Sequence, residues 1–330
     1  MLGASGLRAG RCPISPSRDE VLSALRGSTL RYAVVGGTGM IGTWVADALL
    51  ARGDEVLIVT RRVPRSSREL QWDPARGLSN PRLLEGVDVV FNLAGAPIAD
   101  RPWTTQRRKL LHESRVRATE TLLSAFDVLD RPPSVLVGVG GLGLFGDRGD
   151  DWLDDDEPPG TGFLAELCVA WELAQLSAEQ HGCRSCVLRM SVVLSPTGGA
   201  FPLMVKPFRY VGGWLGNGRQ FTPWISIRDT VGALLHLADE EKCRGAFNGT
   251  VPEPPHNKEW LKALGRVMHR PVVTHAPKWA LRGALGELAD GLLIASIRAR
   301  PRKLLESGYT FVDTDSEPTF QWLLTELERT

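Results

Sequence analysis

Residues 31–42, RYAVVGGTGMIG, restrict the fold of this chain more than any other segment. Tyr32-Ala33-Val34-Val35 is a short apolar, β-branched run, as expected of a strand buried on both faces of a parallel sheet. It passes directly into Gly36-Gly37-Thr38-Gly39-Met40-Ile41-Gly42. From Thr43 apolar residues recur at helical spacing (Trp44, Val45, Ala48, Leu49), and Gly53 ends the pattern as a helix C-cap does. A second β-type run, Glu55–Val59, follows. The unit is strand, glycine turn, helix, strand, in which backbone N–H groups at a helix N-terminus receive a pyrophosphate. Gly36 makes the tight turn, Gly39 lets the backbone approach phosphate, and Gly42 lets helix and strand pack closely. Thr38, Met40 and Ile41 belong to the same cofactor loop.

The end of the second strand indicates which dinucleotide. An NAD site places an acid there for the ribose hydroxyls, and an NADP site places cations there for the 2′-phosphate. This chain has Thr60-Arg61-Arg62, with Arg65 close behind and no acid. Arg61 is the first choice as phosphate clamp, because a planar guanidinium pairs with phosphate in bidentate fashion. The cofactor expected is NADP(H).

At 330 residues the chain can bury a substantial core. A formal net charge of +1 gives no reason to expect nucleic acid or an anionic membrane as partner, which leaves a small-molecule substrate, with a monomer or a homodimer both compatible. No apolar stretch approaches the roughly 18 residues a membrane-spanning helix needs. The five cysteines are odd in number and scattered, against a disulfide framework. Cys183-Arg184-Ser185-Cys186 has Cys-x-x-Cys spacing but leads into an apolar strand with no second ligand pair nearby, so no metal is expected. Residues 1–30 alternate Gly, Ser, Arg and Pro, with no acid before Asp19; they read as a flexible extension on a cytoplasmic protein. A transit peptide to an organelle stroma or matrix is the alternative.

After the cofactor unit, 64–82 reads as loop. Asp88–Gly95 is a buried strand ending in Asn92, Leu93, Ala94 and Gly95, small enough at its end for a cofactor to pass close to backbone. Residues 103–129 form a long amphipathic helix whose Arg115 and Thr119 face the crevice. A strand at 134–139 leads to the glycine-rich segment 140–146 and Asp147; 150–159 (DDWLDDDEPP) is an exposed acidic loop; 163–180 is helical and 186–194 is a strand. From Ser195 the alternation of strand and helix breaks down. Residues 219–229 read as a strand leading into a helix at 229–238 with Asp229 as N-cap, followed by short helices at 257–268, 278–290 and 301–306 and a terminal helix from Pro318. The fold class is α/β: a Rossmann-type, doubly wound parallel sheet over 31–194, with a smaller C-terminal substrate lobe, 195–330, returning to the sheet through 224–248.

With these pieces in order, the chain resembles the extended and atypical short-chain dehydrogenase/reductases, and more narrowly their "epimerase family protein" branch, which is sugar-nucleotide epimerase-like with a small C-terminal domain of unknown function. The resemblance rests on GGTGMIG (36–42), TRR (60–62), NLAGAPIADRPW (92–103), SRVRATETL (114–122), FGDRGD (145–150), LCVAWE (167–172), LRMSVVLSPTGG (188–199), GGWLGNGRQFTPWISIRD (212–229), FNGTVPEP (247–254) and PRKLLESGYTF (301–311). It implies NADP binding, and an oxidoreductase or epimerase acting on a small polar or nucleotide-linked substrate.

The chain departs from that superfamily in its chemistry. Its enzymes use a tyrosine as general acid/base, a lysine four residues on, and a Ser or Thr on the substrate oxygen. Here the tyrosines are Tyr32, Tyr210 and Tyr309, and four residues beyond them stand Gly36, Trp214 and Asp313. The motif positions fall on Leu164 and Cys168, and the hydroxyl positions on Gly140 and Leu142. Hydride transfer needs only the nicotinamide, but proton transfer needs a substitute, for which Cys168, Glu172, His112 and Asp147 are the nearest candidates. Arg189, Gln220 and Trp224 are the expected substrate-side residues. Two roles stand side by side: an oxidoreductase or epimerase-like enzyme with a non-standard site, and a non-catalytic NADP(H)-dependent sensor or partner-binding protein.

Overall fold

The computed structural model describes residues 30–329, so the expected N-terminal extension lies outside the described residues except for Leu30. The chain opens with β1 (Arg31–Val35), α1 (Met40–Arg52) and β2 (Glu55–Thr60), followed by β3 (Glu69–Asp73), β4 (Gly77–Leu78) and β5 (Val89–Asn92). Further along come β6 (Val135–Gly141), α2 (Phe163–Leu176), β7 (Arg184–Met190), α3 (Ile227–Asp239) and β8 (Gly245–Gly249). These strands make one eight-stranded sheet in the order β8-β7-β6-β5-β1-β2-β3-β4, parallel throughout except for the β3–β4 edge pair. The order reverses between β1 and β5, and a ligand crevice opens at the carboxyl ends of strands at such a point.

The two-residue period of a strand sends alternate side chains of β1 to opposite faces. Tyr32 and Val34 join the core that holds α1 and α3, whereas Ala33 and Val35 join the core beneath the helix at Ala118–Leu123. Both faces are covered, which is why Tyr32–Val35 of β1 and Val89–Phe91 of β5 read as continuous apolar runs.

Four readings of the sequence change here. The presumed loop at 64–82 contains β3 and β4; Leu70 and Trp72 are buried while Glu69, Gln71 and Asp73 point outward, the signature of a half-covered strand. The helix expected over 103–129 is interrupted: Thr104 caps Thr105–His112, a π-type turn spans Glu113–Arg117, and α-helix resumes at Ala118–Leu123. The acidic loop is not wholly exposed, because Asp155 is buried and accepts from the N–H groups of Asn248 (2.6 Å) and Lys303 (3.0 Å). Asp229 is not the cap of α3; Ser226 is, its hydroxyl accepting from the Asp229 N–H at 3.0 Å. The Asp229 carboxylate is buried and instead gathers the N–H groups of Val312 and Asp313, both at 2.8 Å, and the Tyr309 hydroxyl at 3.0 Å.

The lobe has its own core of Phe201, Trp224, Trp260, Leu264 and Phe320. It is tied to the sheet domain as well as to itself. Its turn at 195–199 lies over the start of α1, where Trp44 Nε1 donates to Thr197 Oγ1 at 3.2 Å and Met40 sulfur lies beside Gly198 and Gly199. At the other end of α1, Arg52 pairs with Asp239 of α3 at 2.9 Å. The four described cysteines are buried free thiols, and no cluster of His, Cys, Asp or Glu among the described residues is placed to hold a metal ion. No helix among the described residues is long and apolar enough to cross a membrane.

Candidate functional site

The first glycine turn closes on itself at the switch point. Gly36 has φ of +80°, donates its N–H to Val59 O (3.0 Å) and accepts from the Gly39 N–H (2.9 Å). A Cβ on Gly42 would collide with the Gly36 carbonyl oxygen, so this residue sets how closely α1 approaches β1. No side chain caps α1 and no acid lies in its first turn. The first-turn N–H groups and the positive end of the helix dipole therefore remain available to an anion, with no acid of that turn competing for them.

At the end of β2, Thr60 is buried and its hydroxyl accepts from the Arg62 N–H at 3.3 Å, which turns the chain outward. Arg61 and Arg62 are exposed, and among the described residues neither has a carboxylate partner. On the other side of β1, Asn92 is buried and donates to Thr119 Oγ1 at 3.0 Å; that hydroxyl donates in turn to Arg115 O at 2.7 Å. Asn92 thus spends its side chain joining strand to helix. Leu93 donates to Val35 O at 2.9 Å, and its carbonyl lies 3.1 Å from where a Cβ on Gly36 would stand. Ala94 and Gly95 continue this strip along the crevice.

Arg115, in the middle of the π-type turn, is only 8% exposed. Its guanidinium stacks over the Trp171 ring (4.9 Å to the centroid), donates to Ala96 O at 2.9 Å, and lies 3.3 Å from where a Cβ on Gly95 would stand. Desolvation pushes its pKa down to about 10. Trp171 was not anticipated from the sequence; its helical spacing marks it only as core.

The place where the superfamily's acid/base pair would stand is apolar. Leu164 fills the space over Gly143, and Cys168 lies against Gly141, in a cluster with Leu142, Leu144 and Phe145. Burial pushes the Cys168 thiol up to about 12, which keeps it protonated and removes the thiolate as a nucleophile or base near neutral pH. Glu172 is committed to Arg189 in a bidentate ion pair (2.7 and 2.8 Å), and Arg189 also donates to Asp155 O at 2.6 Å. That occupies both the expected acid and the expected substrate arginine. His112 is exposed at the end of its helix, and Asp147 ties a loop together by accepting from the Gly149 and Ser296 N–H groups. Trp224 is fully buried in the lobe core. Gln220 is buried too, its amide donating to Leu215 O and Leu293 O. Of the catalytic candidates, Cys168 and Glu172 lie one turn apart on α2, whereas His112 and Asp147 belong to other segments.

A parallel sheet switching direction at an uncapped glycine turn defines a nucleotide-binding α/β protein. The chain belongs to the NAD dependent epimerase/dehydratase family, whose model matches residues 32–248, and a domain of unknown function, DUF1731, matches residues 276–323. It is 40% identical over 280 residues to an epimerase family protein of Mycobacterium bovis, covering 84% of this chain and 92% of that one. It is 34% identical over 288 residues to epimerase family protein SDR39U1 of Bos taurus, covering 86% and 95%. The crystal structure of human SDR39U1 with NADPH superposes with a TM-score of 0.81 at 30% identity, over 91% of this chain and all of that one.

Proposed function

We propose that the protein binds NADP(H) across the β1–β5 crevice and acts, as an oxidoreductase or epimerase-like member of its family, on a small polar or nucleotide-linked substrate. One observation carries the reading: the acid-free, uncapped N-terminus of α1 lies beside two exposed arginines with no carboxylate partner among the described residues. These fit a pyrophosphate and a 2′-phosphate respectively. The NADPH in the human relative's structure supports the same assignment. When bound, the cofactor supplies hydride chemistry. The chain's own residues bind its phosphates through α1 and Arg61, keep the Leu93–Gly95 strip narrow and flat, and exclude water with Leu142, Leu164 and Cys168.

The apolar wall at those last three residues favours a second reading, a sensor whose partner affinity changes with cofactor. The two readings separate cleanly. NADPH oxidation with a member of a broad carbonyl panel supports the enzyme; no turnover across it, with a partner recovered only when NADPH is present, supports the sensor. Identical partner sets with and without NADPH remove the sensor reading.

A further inference from the structure

We infer that Arg115 is an anion clamp: a second binding position in the crevice, beyond the glycine turn, that takes a carboxylate or phosphate oxygen of a ligand. The inference rests on the crevice being a ligand site, as proposed above, and adds the chemistry of what enters it.

A guanidinium removed from water is costly unless a counter-charge or a full set of acceptors meets it. Arg115 has neither. Its protein acceptors are Ala96 O at 2.9 Å and, at a long 3.4 Å, Leu111 O and the Ser114 hydroxyl. Its Nε–H has no acceptor among the described residues, and no carboxylate there pairs with it. A second cation, Arg107, adds to the imbalance and is itself held by Asp100 and Pro97 O. The Trp171 ring beneath the guanidinium offers partial compensation. Gly95, exposed above the group, leaves the approach free of a side chain.

The backbone supports the same conclusion. Arg115 sits at the centre of the π-type turn Glu113–Arg117, a feature that recurs in helices at functional positions. The Thr119 hydroxyl bonded to Arg115 O also receives Asn92 from the end of β5, so the arginine is registered against the strand that borders the crevice. A planar fork held in this way fits a two-oxygen anion. The anion has two possible sources: a phosphate of the dinucleotide, or an acidic group on the second ligand.

The test compares wild type with Arg115→Met, which keeps length and apolar packing and deletes the charge, and with Arg115→Lys. Melting of the empty protein and calorimetric NADPH titration are read for each, together with melting shifts from inorganic phosphate and oxalate with and without NADPH. The expected result is that empty Arg115→Met melts no lower than wild type while ligand response is lost. A tenfold or greater loss of NADPH affinity assigns the clamp to the cofactor. Unchanged NADPH affinity, with the phosphate or oxalate shift abolished and partly kept in Arg115→Lys, assigns it to the second ligand. If Arg115→Met melts well below wild type and every ligand response is preserved, the arginine merely brackets Ala96 and the inference is wrong. Failure of wild type itself to take up NADPH would strike the cofactor reading alone, since the empty-protein and small-anion comparisons still report on Arg115.

Discussion

Arg61 and Cys168 represent opposite fates for a functional candidate. Arg61 is exposed at the end of β2 with no carboxylate partner among the described residues, so its interaction energy is available to a ligand. Arg61→Ala is expected to lower NADPH affinity tenfold or more, about 1.4 kcal/mol, and to leave NADH affinity unchanged; competitive titration with the two nucleotides reads the difference. Burial keeps the Cys168 thiol neutral. Because burial raises the folded-state pKa far above the ordinary thiol value, the thiol stays protonated across the neutral range and into mild alkali. Iodoacetamide should therefore leave Cys168 unmodified between pH 7 and pH 9 in the native protein and label it readily after unfolding, as judged by peptide mass spectrometry. Rapid native labelling that climbs with pH would restore it as a catalytic candidate.

At the scale of elements, the strand–turn–helix unit works through spacing more than through any side chain. Gly42→Ala places a methyl against the Gly36 carbonyl oxygen, so the turn must open or α1 must tilt. The expected cost is about 1–3 kcal/mol in denaturant unfolding, with a loss of nucleotide affinity larger than the stability change explains. This unit was readable in the sequence because burial on both faces produces an unbroken apolar strand, and because closely packed backbones require glycine at fixed intervals. The β3–β4 pair escaped notice because it is short and half-polar, and Leu70 and Trp72 gain their meaning only against the cores beneath them. Long-range pairings were hidden for a different reason. Asp155 meets Asn248 and Lys303, Arg189 meets Glu172, and Asp229 meets Tyr309 and Asp313, through a topology that no local pattern encodes. Those partnerships tie Glu172 to Arg189 and turn Asp229 from a helix cap into an anchor.

For the molecule as a whole, the sheet and the lobe are not separable units. The β8 edge strand and the α3 helix come from beyond residue 195, yet Ile227, Leu234 and Phe247 share one core with Tyr32, Phe91 and Leu188. A fragment ending at residue 194 should expose that face and fail to melt cooperatively, whereas the full chain should show a single calorimetric transition. A cooperative melt of the fragment would show that the lobe is dispensable to the sheet. The same interweaving places the lobe's 195–199 turn over the start of α1, where a nucleotide's phosphates would lie, so lobe and cofactor are expected to stabilise one another. The most direct check of the central claim is isothermal titration of the full chain with NADPH and, separately, NADH. The account predicts one site per chain with NADPH bound at least tenfold more tightly; no heat with either nucleotide, or a preference for NADH, would contradict it.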